Sequence, residues 1–229
     1  MSGFRRPDLV PRLISGIVMI VVALAADWAG GIWFAGLLLL VAAAVAREWV
    51  RLVHRMALKR ALRPLWLLGG AGYIALALFG LWQVRTTFAP ALEWTFILFA
   101  IVWGMDIGAY FAGRAIGGPK IAPAISPSKT WAGLIGGLVA ATLAAALVSS
   151  VAKEPRLAEL GWLALALLAV PMGLLAQAGD FFESWMKRRA GMKDSGGAIP
   201  GHGGVFDRVD GLLPVACVFW WWAGMVARI

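Results

Sequence analysis

"WAGLIGGLVAATLAAALVSSV", residues 131–151, runs without a single charged side chain. A helix rising about 1.5 Å per residue needs roughly 20 residues to cross some 30 Å of hydrocarbon, so this stretch has the length and composition of one membrane span. Working outward from it, further apolar segments read at 11–27, 31–46, 65–82, 92–112, 160–178 and 211–227, the second short and the fourth interrupted by Asp106 and several glycines. The whole composition agrees: 61% of the 229 residues are hydrophobic, only 14% are charged, and 13 are tryptophan, far from the usage of soluble domains. The expected fold is therefore an all-α integral membrane protein, a polytopic bundle of about seven transmembrane helices. It forms one transmembrane domain over 1–229, with 1–104 as N-terminal helices and 105–229 as the half carrying the polar motifs. Little room is expected for a separate soluble domain. The single cysteine, Cys217, lies in an apolar run and reads as packing, so no disulfide framework or multi-cysteine metal site is available.

Basic residues orient the spans, because Lys and Arg in short loops stay cytoplasmic. They cluster at the N-terminus (Arg5, Arg6, Arg12), in the second-to-third connection (Arg47, Arg51, Arg55, Lys59, Arg60, Arg63), in the fourth-to-fifth (Arg114, Lys120, Lys129) and in the sixth-to-seventh (Lys187, Arg188, Arg189, Lys193, Arg208). The opposite loops hold only Arg85, Lys153 and Arg156. Seven spans then put the N-terminus in the cytoplasm and the C-terminus outside. A cleaved signal peptide at the N-terminus is the competing reading, and it leaves every later loop on the same side. The net charge of +9 is a topological address facing anionic lipid, and nothing in it calls for nucleic acid.

Two connections on the cytoplasmic side exceed what a turn needs. The first, residues 105–137, opens "MDIGAYFAGRAIGGPK"; its glycines and prolines are expected to forbid a continuous helix, and it places Asp106 within or at the edge of a span, where ionisable groups line polar cavities. The second, residues 179–211, reads "GDFFESWMKRRAGMKDSGGAIPGHGGVFDRVDG" and holds Asp180, Glu183, Asp194, Asp207 and Asp210, five of the chain's 12 acids. Acids contribute little to topology. Hard oxygen ligands beside a basic cluster point instead to a divalent cation with a phosphate: Mg²⁺ takes one or two carboxylates and completes its shell with water and phosphate, while Lys and Arg absorb the excess negative charge. Asp207 and Asp210, three apart, would face the same way at the N-terminus of the last helix. His202, between glycines, offers a metal ligand, a general base or simply the polar tip of a turn, the isolated pattern carrying little weight for proton transfer, and His54 reads as a surface residue.

These residues resemble the signature of the phosphatidate cytidylyltransferase (CDP-diacylglycerol synthase) family. Ser184, Met186, Lys187, Arg188, Lys193, Asp194, Pro200, His202, Gly203, Gly204, Asp207, Arg208 and Asp210 meet its spaced pattern, and "DIGAYFAGR", "ISPSKTW", "RLISG" and "REW" look like its other recurring segments. One departure is Ala132, where relatives carry a glutamate. The resemblance implies the reaction of CTP with phosphatidate to give CDP-diacylglycerol and pyrophosphate in a cell (inner) membrane. It implies Asp180 and Asp207 as ligands of Mg²⁺ or another divalent cation, with a second ion as an alternative, and Asp210 close by. It implies Lys129, Lys187, Arg188, Lys193 and Arg208 as phosphate-binding cations, of which Lys193 and Arg208 join the three aspartates as catalytic candidates. Ser126, Asp106, His202, Gly203 and Gly204 complete the substrate-binding candidates. Its members imply a homodimer. Two alternatives remain open: a related CTP-dependent enzyme acting on an isoprenoid or ether lipid, told apart by its products, and a transporter binding anions between broken helices.

Overall fold

The computed structural model describes residues 9–87, 92–199, 201, 203–226 and 228, with side chains from residue 14 onward. The chain is a multi-pass α-helical membrane protein. Hydrocarbon leaves no partner for a bare backbone amide, so apolar segments close their hydrogen bonds internally as helices. They are α1 (Leu9–Ala29), α2 (Gly31–Arg55), α3 (Arg63–Thr87), α4 (Leu92–Ala115), α5 (Trp131–Val151), the short α6 (Pro155–Ala158), α7 (Trp162–Arg189), the short α8 (Phe206–Val209) and α9 (Leu212–Val226). Among the described residues, six helices are long and apolar enough to cross a membrane, with α8 and α9 counted together, while the described apolar part of α1, Ile14–Ala29, is shorter. The seventh expected span thus rests on α1.

Both expected connections are helical in part, at their ends. Residues 105–115 continue α4, and 179–189 continue α7, whose 28 residues extend about 42 Å, some 12 Å beyond the hydrocarbon thickness. The chain over 105–137 is not one continuous helix, as its glycines and prolines led one to expect, for residues 116–130 separate α4 from α5; the glycines inside those helices are notches for packing. A Cβ on Gly108 would lie 2.7 Å from the Gly136 carbonyl oxygen, and one on Gly137 would lie 2.7 Å from the Met105 sulfur, so α4 and α5 approach through small residues. Along α5 the buried stripe Gly133, Gly137, Ala141, Ala145 and Ser149 repeats every fourth residue. Ile135, Val139, Leu143, Leu147 and Val151 form the exposed stripe. Pro171, inside α7, cannot donate to the carbonyl of Leu167 four residues back. The indole N–H of Trp222 donates to that carbonyl instead, at 2.8 Å.

Contacts group the chain into two compact units, Met1–Ala71 with Met186–Val209, and Gly72–Trp185 with Asp210–Ile229. In the first, α2 buries Phe34, Val45, Trp49, Leu52 and Val53. The Trp49 indole N–H donates to the Trp66 carbonyl at 2.9 Å, and its ring lies 5.8 Å from that of Phe206. In the second, Trp94, Ile97, Leu98 and Ile101 of α4 and Val215, Ala216 and Phe219 of α9 are buried. Between α4 and α5 this unit carries an antiparallel hairpin, β1 (Lys120–Ala122) and β2 (Ser126–Thr130), paired Lys120 to Thr130 and Ala122 to Ser126.

Candidate active site

The expected site residues fall in both units, and each group is described within its own. In the second unit, β2 runs directly into α5: Thr130 is extended and caps the helix, its hydroxyl accepting from the Gly133 N–H at 3.0 Å. This fixes Lys129 one residue before the cap. Its ammonium pairs with Asp180 on α7 and lies 5.0 Å from the Phe181 ring centre. Ser184, one turn further along, donates to the other Asp180 oxygen at 3.3 Å. The pair is partly buried, so the carboxylate holds its countercharge in a setting less screened than open water. Ser126 begins β2, half-buried, and Asp106 lies on an exposed face of α4.

The first unit holds the glycine-rich strip. Lys187, near the end of α7, pairs with Asp207 at 2.6 Å. The other Asp207 oxygen accepts from the Ser195 N–H, the Ser195 hydroxyl and the Gly204 N–H, each at 2.8 Å. The strip is tied down a second time by Glu48 of α2, buried and far away in sequence. Glu48 accepts from the Val205 N–H at 3.0 Å and the Phe206 N–H at 2.8 Å, and the Ser195 hydroxyl, also 2.8 Å from it, shares its single hydrogen between Glu48 and Asp207. Glycines make this possible. A Cβ on Gly204 would lie 2.5 Å from a Glu48 oxygen, and Gly203 takes a positive φ of 82°, open to glycine at little cost. Ile199 and Gly203 close a small loop, the Ile199 N–H donating to the Gly203 carbonyl at 2.9 Å. Arg188, Lys193 and Arg208 are exposed. His202 and Pro200 lie outside the described residues, as do Arg5 and Arg6.

Contrary to expectation, Asp207 and Asp210 do not share the start of one continuous helix. Asp207 belongs to α8, which ends at Val209, and Asp210 sits in the following turn, where its carboxylate accepts from the Gly211 N–H at 2.9 Å. The turn lies against α7, where a Cβ on Gly179 would overlap the Asp210 carbonyl oxygen.

The model of the cytidylyltransferase family matches residues 68–226. Over 262 aligned residues the chain is 34% identical to the phosphatidate cytidylyltransferase of Brucella suis biovar 1, covering 96% of this chain and 95% of the relative. The chain belongs to the cytidylyltransferase family. Other relatives with the same name match a shorter region: that of Pseudomonas aeruginosa is 47% identical over 128 residues, covering 54% of this chain and 46% of its own length. That of Bacillus subtilis is 36% identical over 141 residues, covering 62% and 51%. In this cytidylyltransferase the two lysine–carboxylate pairs join motif residues that the sequence had placed together only by resemblance. Glu48 and Ser195 were missed as participants. The one available signal for Glu48 was its place within "REW", an acid amid basic residues at the end of a span.

The donor chemistry suits a hard divalent cation. Asp180 and Asp207 offer oxygens beside lysines and hydroxyls, and no group of three His, Cys, Asp or Glu converges among the described residues. A Mg²⁺ at either carboxylate would draw few ligands from protein and the rest from water and phosphate, as that ion prefers.

Proposed function

We propose that this protein is a phosphatidate cytidylyltransferase, converting CTP and phosphatidate into CDP-diacylglycerol and pyrophosphate at the cytoplasmic face of the inner membrane. The observation that carries the reading is the match along nearly the whole chain to an enzyme of that name. The two lysine–carboxylate pairs support it, since they hold motif lysines and aspartates together in the fold.

The chemistry asks little covalent help from protein. The phosphatidate phosphate is largely ionised near neutral pH, so its oxygen attacks the α-phosphorus of CTP without a proton being removed first. The new oxygen–phosphorus bond forms as the bond to the bridging oxygen breaks, and pyrophosphate leaves with the electron pair. Positioning and charge neutralisation supply the rate. Lys129 and Lys187, held by their carboxylates, are preorganised cations, and the exposed Arg188, Lys193 and Arg208 add positive charge along the same stretch of chain. A divalent cation at the Asp180 or Asp207 carboxylate would add neutralisation of the charge on CTP. His202 is not needed as a base on this route, and a hydrogen bond to phosphate is the role we assign it.

Membranes containing the protein, incubated with labelled CTP, phosphatidate and Mg²⁺, are expected to move label into the organic phase and release pyrophosphate. A lipid product other than CDP-diacylglycerol, or release of CDP, would move the reading to an enzyme acting on another lipid. Chelation with EDTA is expected to stop turnover and added Mg²⁺ to restore it. The cytoplasmic orientation is supported by the basic clusters. We extend the reading to a homodimer on the resemblance alone, with cross-linking in native membranes as its check.

A further inference from the structure

Beside the Glu48 anchor, the first unit contains a pocket of about 540 Å³ between the last turns of α2 and residues 196–198 of the glycine-rich strip. Its size lies within the range of roughly 300–1,000 Å³ common to small-molecule sites. Two of its lining residues are Arg47 and Arg51, one helical turn apart and so on one face of α2. Neither guanidinium is engaged by a carboxylate among the described residues. The pocket's own carboxylate, Glu48, already accepts from Ser195, Val205 and Phe206, so its oxygens are committed to the strip. Against that one carboxylate the pocket sets two guanidinium groups, so its lining carries a net positive charge. Ala44 and Ala198 give it apolar walls, and Gly196 and Gly197 present bare backbone. The 25 residues of α2 extend about 38 Å, some 8 Å longer than the hydrocarbon, and its last turns carry Arg47, Arg51 and Arg55.

We infer that this pocket binds a phosphate group through Arg47 and Arg51. Guanidinium forks match phosphate oxygens two at a time, and a mixed apolar and cationic lining suits an anion carried on a larger organic body. The inference rests on the cytidylyltransferase reading only for the two sources of that phosphate, the phosphatidate headgroup and the CTP triphosphate. Glu48 lies between the two arginines in sequence and holds the strip that carries Asp207, so phosphate in the pocket would sit one residue from the anchor of that carboxylate.

The test uses the full chain in detergent, as wild type, as R47Q/R51Q, and as R55Q/K59Q, which removes equal charge from the same connection outside the pocket. Thermal unfolding is followed with dioctanoyl phosphatidate or with CTP, each without metal, and KM is measured for each substrate. We expect one of the two compounds to stabilise the wild type. R47Q/R51Q loses that stabilisation and raises the KM of that substrate at least ~10-fold, while R55Q/K59Q stays within about two-fold. A change confined to phosphatidate assigns the pocket to the lipid, and one confined to CTP assigns it to the nucleotide. The inference is overturned if neither compound stabilises the wild type, if R47Q/R51Q keeps both responses, or if R55Q/K59Q loses them equally. Should R47Q/R51Q fail to insert, R47K/R51K keeps the charge, removes the fork, and is expected to show the same selective loss. A wild type without turnover would sink the cytidylyltransferase reading alone, because the stabilisation measurement still decides the pocket.

Discussion

Glu48 commits both of its oxygens to a loop some 150 residues away in sequence, accepting from two backbone N–H groups and one hydroxyl. Leaving such buried donors without an acceptor costs about 1–3 kcal/mol each. Glu48→Ala is therefore expected to lower stability by about 3 kcal/mol or more, and Glu48→Gln, which keeps one carbonyl oxygen, by less. Thermal unfolding, with limited proteolysis of the 195–205 segment, measures both, and equal melting of Glu48→Ala and wild type would refute the anchoring role. Asp180→Asn carries a different expectation: turnover falls by at least ~100-fold while the protein inserts and folds normally, because the change touches charge rather than packing. Normal turnover in this variant would remove Asp180 from the reaction. The Asp180 and Asp207 motifs were legible in sequence, since their residues recur at fixed spacing. Glu48 was not, because an acid flanked by basic residues at a helix end reads as a solvated charge, and only a distant strip of chain reveals that it points inward.

At the scale of elements, α4 and α5 show why glycine was hard to read. Spacing alone cannot distinguish a glycine that ends a helix from one that lets a neighbour approach, and both kinds occur within residues 104–137. Gly137→Leu is expected to reduce the folded yield sharply, since even a Cβ would lie 2.7 Å from the Met105 sulfur. Gly36→Ala, on α2, meets nothing within 4 Å and is expected to be neutral or slightly stabilising by the better helix propensity of alanine, at most about 1 kcal/mol. Comparing folded yield and melting of the two variants checks both statements; equal behaviour would mean that close packing does not govern this pair. The polar ends of α4 and α7 escaped notice for a related reason. Where a helix outruns the hydrocarbon its sequence turns charged without its backbone leaving the helix.

The whole molecule was legible as a membrane protein from composition, and its helices lie close to the apolar runs, with ends displaced by as much as eleven residues at α7. The division into two units was not legible, because each is assembled from separated stretches of chain and nothing in local composition marks their edges. Sidedness is a property of the whole chain and is open to direct measurement. In a Cys217→Ser background, a cysteine placed at Lys193 is expected to react with a membrane-impermeant maleimide only from the cytoplasmic side, and one placed at Lys153 only from the opposite side. Labelling of both from one face would contradict the alternation of spans around α7.

The bond from Trp222 to the Leu167 carbonyl binds two choices of residue together across the history of the chain. A proline at 171 creates a carbonyl with no donor in its own helix, and an indole at 222 answers it. Among relatives, an ordinary amide-bearing residue at 171 should release position 222 from tryptophan, whereas proline at 171 should keep an N–H donor there. The two positions ought therefore to drift in step, and their pattern of joint replacement can be counted without any protein being made.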